Sequence, residues 1–408
     1  MLNREPQSLR RYYTIKTGNN SGFAAHIINQ LLIEIMAMIE NIKNFSMVLV
    51  IFLLMTGSGN ALSQELDSDD GTEPKGHKKS ISVLPIIMYD SDIGFGFGVK
   101  GVAKNYCRRN ESFDVMLFGS TKGEQQYVLT FSIPDFEIRQ GTIYPLALDL
   151  KIEFDKLLKS NFFGIGNEAK NNDDYQFPRE LLKFQMAVSR AFTHSFVGEL
   201  TFRYTHYSVY GYDLGWQTIT DQTPGAGQTE VTIFSTSCRY DTRDSWIHPC
   251  QGFKLELKVE QALKVLTTDW DFNKVRLEFS IYRKLISRNH IFAFRWWMQH
   301  LQGNAPYQEL SKIGDSWTAR GYKADRFLDN TMALTSVEYR FHIYKKLGGV
   351  LFADAGRVWP EVEKFNIKNW HRNWGVGFRY YLENFVTRFD VGTSNEGTRL
   401  FFNFGHVF

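Results

Sequence analysis

The last ten residues of the chain, 399–408 (RLFFNFGHVF), alternate so regularly that they admit few folds. Side chains on a strand point to opposite faces in turn. Leu400, Phe402, Phe404 and Phe408 therefore fall on one side, and Asn403, Gly405 and Val407 on the other. One face is almost wholly apolar, and the other is small or polar. A terminal strand of this kind, ending on an aromatic residue, suits a barrel whose outer wall meets lipid. The same period recurs upstream. In residues 253–260 (FKLELKVE), Phe253, Leu255, Leu257 and Val259 oppose Lys254, Glu256, Lys258 and Glu260. Residues 275–282 set Val275, Leu277, Phe279 and Ile281 against Arg276, Glu278, Ser280 and Tyr282. Charged faces repeated on many strands predict a water-filled lumen, with the apolar faces turned to lipid.

Composition agrees with that solvent. Aromatic residues make up 15% of the chain, yet the mean hydropathy is −0.30. No apolar run after residue 60 approaches the roughly 20 residues that a membrane-spanning helix needs. A barrel needs only alternation. The formal net charge of +3 gives no bulk field for nucleic acid or acidic substrates, and no nucleic-acid partner is expected. Three cysteines, Cys107, Cys238 and Cys250, are too few for a disulfide framework and are read as unlinked.

Residues 45–55 (FSMVLVIFLLM) form a short apolar core, with Lys43 before it and Gly57, Gly59 and Ala61 after it. Residues 36–63 are read as a signal peptide cut after Ala61 or Ser63. Residues 1–35 are read as an upstream extension, the native start falling at Met36, Met38 or Met47. Residues 64–80 are polar, without periodicity, and are expected to be a flexible linker. The barrel is assigned to residues 81–408.

Turn signals divide that region into sixteen strands at about 81–89, 94–106, 112–121, 125–136, 142–155, 179–192, 195–209, 229–242, 251–265, 269–286, 288–301, 331–343, 346–358, 373–382, 384–393 and 398–408. The number is even, as bacterial single-chain barrels require. With both termini periplasmic, the long gaps 156–178, 210–228, 302–330 and 359–372 all fall on the outer side. Pro85 in the first strand removes a ladder donor, which points to an edge. Gly94, Gly96 and Gly98 share one face of the second strand and are expected to leave space on the lumen side. A weakly paired seam between first and last strands follows as an expectation.

Several motifs then fall at consistent strand positions. Residues 240–253 (YDTRDSWIHPCQGF), carrying Asp241, Arg243, Asp244, Pro249 and Gly252, resemble the D-T-R-D…P…G-F signature of the bacterial surface-antigen barrels, the superfamily of BamA/TamA-like assembly factors. Ala319, Arg320, Gly321 and Tyr322 resemble that family's V-R-G-F/Y motif at the tip of an inward-folded sixth loop, with alanine for valine. Glu338 in SVEYRF and Asp354 in LFADAG match its acidic positions on the twelfth and thirteenth strands. The closing NFGHVF, with Phe404, Gly405 and Phe408 after Phe402, is similar to its terminal assembly signal. Residues 162–167 (FFGIGN) resemble a subgroup lacking periplasmic POTRA domains.

The parity of the strands shows what the loop motif can do. Ser336, Glu338 and Arg340 share one face, and Phe352, Asp354 and Gly356 another, so both carboxylates can point into the lumen. A guanidinium is built to bind carboxylates through two donors, so Arg320 folded inward is expected to be clamped by Glu338 and Asp354, with Tyr322 beside it.

Other signals fail on context. Residues 96–101 satisfy G-x-G-x-x-G, but alternation continues through them, where a dinucleotide site needs a helix to start. Gly314, Asp315 and Ser316 match the opening of a lipase class without the late D-x-x-H that class requires. No metal-ligand spacing is convincing, and neither a cofactor nor an enzymatic activity is implied. The expected fold is an all-β, sixteen-stranded antiparallel transmembrane barrel with long extracellular loops and one loop in the lumen. The resemblance implies insertion or translocation of proteins, or of lipids, in the outer membrane. Its implied partners are outer-membrane lipid and unfolded outer-membrane clients, with any accessory periplasmic partner unassigned. The alternative is a passive pore or surface-structural barrel.

Overall fold

The structure, a computed structural model, describes residues 79–171, 176–210, 219–220, 222–264, 268, 270–285, 290–382 and 385–408. The signal peptide expected over 36–63, the extension over 1–35 and all but the last two residues of the linker lie outside the described residues.

In chain order the strands are β1 (Ser80–Asp90), β2 (Gly94–Lys104), β3 (Ser112–Ser120), β4 (Gln125–Ile133), β5 (Tyr144–Asn161) and β6 (Gln176–Ala191). Then come β7 (Phe196–Val209), β8 (Gln228–Asp241), β9 (Gly252–Ala262), β10 (Asp271–Lys284), β11 (His290–Asn304) and the short β12 (Ser311–Ile313) and β13 (Phe327–Asp329). The chain closes with β14 (Thr331–Tyr344), β15 (Leu347–Trp359), β16 (His371–Tyr381), β17 (Val386–Ser394) and β18 (Gly397–Phe404). Sixteen of these form one closed antiparallel barrel in sequence order, β11 pairing with β14 and β1 meeting β18. The hairpin β12–β13 lies within the connection between β11 and β14. The sequence reading missed it, because three residues are too few to show a period.

The wall is two-faced. On β16, Asn373, Gly375, Gly377 and Arg379 are buried inside, while Trp374, Phe378 and Tyr380 point outward, Trp374 with 66% of its surface exposed. An outer face of this composition is what lipid contact requires. The glycines of β2 do not leave the space expected of them. A Cβ on Gly96 would lie 2.2 Å from the Phe118 ring, so the missing side chain lets a buried phenylalanine of β3 lie against the strand.

The chain terminus also departs from expectation. Phe402 and Phe404 lie half-exposed on the outer wall, opposite buried Phe401 and Asn403, but β18 stops at Phe404. Gly405 adopts a φ of 80° and donates its N–H to Val386 O at 2.7 Å. The last residues leave the ladder there. Phe408 therefore does not share the outward-facing side. Its ring centroid lies 6.2 Å from that of Tyr282, which faces the lumen from β10 on the opposite wall. Side-chain parity holds only while the chain stays extended, and glycine, having no Cβ, is the residue that leaves it at least cost.

The seam is uneven. β1 pairs with β2 along its whole length, from Ser80↔Lys104 to Asp90↔Gly94. With β18 it pairs only at Tyr89↔Phe402 and Asp90↔Phe401. That register sets Ile87 opposite Phe404, where β18 ends, so residues 80–86 face no strand on that side among the described residues. The other end of the seam is fastened by Ser91, whose N–H and hydroxyl reach Leu400 O at 3.2 Å each, and by the Asp92–Arg399 ion pair.

Candidate functional site

Arg320, in the β11–β14 connection, is fully buried against the inner faces of β14, β15 and β17. Its Nε and Nη2 donate to Asp354 Oδ2 and Oδ1 at 3.0 and 2.9 Å, a two-pronged contact. Its Nη1 donates to Glu338 Oε1 at 2.6 Å and lies 3.4 Å from Asp390 Oδ2. Its guanidinium stacks 3.6 Å from the centre of the Phe352 ring. Burial opposes the cationic form, but the Asp354 and Glu338 carboxylates outweigh it and raise the pKa above the usual arginine value.

The loop reaches these partners because small residues let it approach the wall. A Cβ on Gly321 would lie 2.5 Å from Asn373 Cβ, and one on Gly392 would lie 2.2 Å from Arg320 O. Ser394 Oγ donates to Gly321 O at 2.7 Å. Tyr322 is buried beside Phe327, its hydroxyl within hydrogen-bond distance of Arg372 O and Asn395 Oδ1, at 3.1 and 2.9 Å. Asp315 accepts the N–H groups of Trp317 and Thr318 at 2.7 Å each, a turn-capping role that accounts for the G-D-S match.

The other sequence motifs sit elsewhere. Asp241 holds Arg243 through Nε and Nη2 at 2.9 and 2.7 Å, and Asp244 Oδ1 accepts the N–H groups of Cys250 and Gln251 at 2.8 and 3.1 Å. Pro249 is buried in the same turn. Gly252 has a φ of 103°, and a Cβ there would meet Thr242 O at 2.3 Å. This group shapes the β8–β9 turn and makes no contact with Arg320. In the FFGIGN segment, Asn167 Nδ2 donates to Val358 O at 2.7 Å and Gly166 N–H to Leu328 O at 2.7 Å, tying the β5–β6 loop to β15 and β13.

A lumen arginine held by carboxylates from neighbouring strands, in a sixteen-stranded barrel, meets a match from family comparison. The Omp85 superfamily domain matches residues 105–408. The chain belongs to the Omp85 superfamily. Among solved structures, this Omp85 barrel is similar to BamA from Haemophilus ducreyi lacking POTRA domains 1-3, at 14% identity and a TM-score of 0.59, covering 80% of this chain and 70% of that one. It is also similar to CdiB from Acinetobacter baumannii, at 11% identity and a TM-score of 0.53, covering 79% and 59%. CdiB from Escherichia coli gives 12% and 0.56, covering 78% and 62%. The chain thus spans less than two thirds of either CdiB, and at these identities the likeness is one of fold. No curated protein matches the chain.

Several contacts around Arg320 in this Omp85 barrel were not anticipated from the sequence. Arg379 donates to Asp390 Oδ1 at 2.5 Å, and Arg340 to Glu338 Oε2 at 2.8 Å. The parity rule applied to β17 puts Arg388, Asp390 and Gly392 inside, so the signal was available there. Arg295, on β11, joins the loop to the chain terminus. Its Nη2 donates to Trp317 O at 2.7 Å and its Nη1 to Val407 O at 3.3 Å, while its guanidinium lies 5.0 Å from the Phe408 ring centre. Arg340 Nη2 donates to Phe408 O at 3.1 Å. Nothing in the sequence pairs those residues, since the terminus reaches them only by crossing the barrel.

His406 makes this docking sensitive to pH. Burial first, then Arg340 and Arg379, push its pKa well below the ordinary 6.5, with Glu338 opposing and His248 adding to the shift. The docked tail keeps His406 neutral, whereas a released tail binds a proton near pH 6.5. Docking is therefore at full strength above that pH and weakens as pH falls through it. Carboxypeptidase should release Phe408 faster at about pH 5.5 than at about pH 7.5, relative to a free peptide of the same sequence. The difference should shrink in His406→Asn. Equal relative rates at both pH values would show that the tail is not held through a neutral His406.

Proposed function

We propose that this barrel lies in a Gram-negative-type outer membrane and inserts or translocates proteins there, by adding a client strand at the seam between β1 and β18. The observation that carries this reading is the free edge of β1. Residues 80–86 pair with β2 on one side and, among the described residues, face no strand on the other. Unpaired backbone N–H and C=O groups on a strand edge are a template for another strand, and an incoming segment gains a ladder of hydrogen bonds by docking there. With the termini periplasmic, that open stretch lies at the periplasmic end, where an unfolded client arrives. Outer-membrane lipid is the solvent of the wall, and unfolded outer-membrane clients are the partners.

The inward-folded loop favours this over a passive pore. Arg320, Glu338 and Asp390 are fully buried and Asp354 nearly so where the loop meets the wall, so the loop takes up part of the lumen that a solute path would need. Depletion of the protein in its host should lower the outer-membrane content of other barrels, measured by quantitative proteomics of outer-membrane fractions. Unchanged barrel content after depletion would leave the passive barrel as the better reading.

A further inference from the structure

Arg388, on the inner face of β17, is fully buried, and none of its three guanidinium nitrogens has a hydrogen-bond partner. Taking a charge out of water without fixed partners is costly, so such a group calls for an explanation. The nearest carboxylate does not supply it. Asp390 accepts from Arg379 at 2.5 Å and lies 3.4 Å from Arg320, whereas Arg388 Nη1 comes no closer to it than 3.7 Å. Three cations share one anion, and Arg388 has the weakest claim.

The unpartnered side-chain atoms beside Arg388 are donors rather than acceptors. In the strand register Arg388 stands between Arg379 on β16 and Asn403 on β18, all three facing inward. Asn403 Nδ2 and Arg379 Nε are also buried without partners. Over the guanidinium lies the ring of Trp317, 4.3 Å from the guanidinium carbon to the ring centre. Trp317 is pinned through its backbone by Arg295 and Asp315, yet the residue keeps 43% of its surface exposed. A cation–π contact thus stands where an anion would bind more strongly.

We propose that Arg388, with Asn403 and Arg379 beside it and the Trp317 ring over it, is a binding site for phosphate or a phosphate ester on the lumen wall next to the seam. The fork of a guanidinium matches two oxygens of such a group, and a tetrahedral oxyanion has further oxygens for the Asn403 amide and Arg379 Nε. Asn403 belongs to the last strand, so the site lies one strand from β1. The phosphate can arrive free through the lumen or as the headgroup of a lipid passing the seam. The site does not depend on strand addition, since a passive barrel could hold the same constellation.

The test uses the folded full chain in detergent and follows its unfolding midpoint on heating. Sodium phosphate is compared with sodium chloride at equal ionic strength, and dihexanoyl phosphatidic acid with dihexanoyl glycerol. Phosphate-specific stabilisation is expected, with a change in tryptophan fluorescence over the same concentration range that is absent in Trp317→Phe. Arg388→Met should unfold no earlier than wild type without phosphate, and its apparent phosphate affinity should fall about tenfold or more, the loss expected for charge-assisted hydrogen bonds. Stabilisation by phosphatidic acid alone assigns the lipid headgroup, and by inorganic phosphate equally well assigns the free ion. No stabilisation by either, or stabilisation unchanged in Arg388→Met, overturns the site. Should that variant fail to fold, Asn403→Ala makes the same comparison, with weakened binding supporting the site and unchanged binding overturning it.

Discussion

Replacing Arg320 by alanine is expected to cost about 3–5 kcal/mol of stability, because it strands buried carboxylates without their cation. The two carboxylates are not equivalent. Glu338 keeps Arg340 at 2.8 Å and Arg379 at 3.6 Å. Among the described residues, Arg320 is the only salt-bridge partner of Asp354, which otherwise accepts from the neutral Asn373 amide at 2.9 Å. Asp354→Asn should therefore restore part of the stability lost in Arg320→Ala. Glu338→Gln should not, since it would strand Arg340 in turn. Chemical unfolding of the three single and two double variants, with protease cleavage in the connection over 305–330 as a second readout, separates these cases. If Arg320→Ala costs less than about 1 kcal/mol, as exposed ion pairs do, or if both double variants are strictly additive, the arginine does not hold the loop to the wall.

The second large effect is on function. Cysteines placed at Tyr89 and Phe402, with Cys107, Cys238 and Cys250 replaced by serine, stand directly opposite each other across the seam. Directly opposed positions on antiparallel strands lie within reach of a disulfide. Oxidation should abolish client insertion and reduction should restore it, because strand addition requires β1 and β18 to part. A control disulfide at Ile87 and Phe97, opposed within the β1–β2 ladder, should leave activity intact. Full activity with the Tyr89–Phe402 bridge closed would rule out opening at this seam.

The strand count, the two-faced wall and the inward aim of Glu338 and Asp354 were legible in the sequence. A side-chain period of two leaves no freedom once one face must meet lipid, so Ser336, Glu338 and Arg340 had to share a face wherever the strand lay. The family motif around Arg320 supplied the loop, and the pairing of that loop with the strands could be stated before any distance was known. The expected run of the last strand to Phe408 went wrong, because alternation continues on paper past Gly405 while the backbone turns away at its positive φ.

What the sequence by itself determined is therefore periodic: which residues face outward, which face the lumen, and where the chain must turn. The tertiary structure alone decided which inward residues meet. Asp390 joins Arg320 from 70 positions away, Arg295 reaches Val407 across 112, and residues 80–86 run past the end of β18 because that strand stops at Phe404. Periodicity is a local property fixed by the geometry of one strand. Contacts across the lumen and the length of the seam depend on barrel closure and register, which arise from many strands at once.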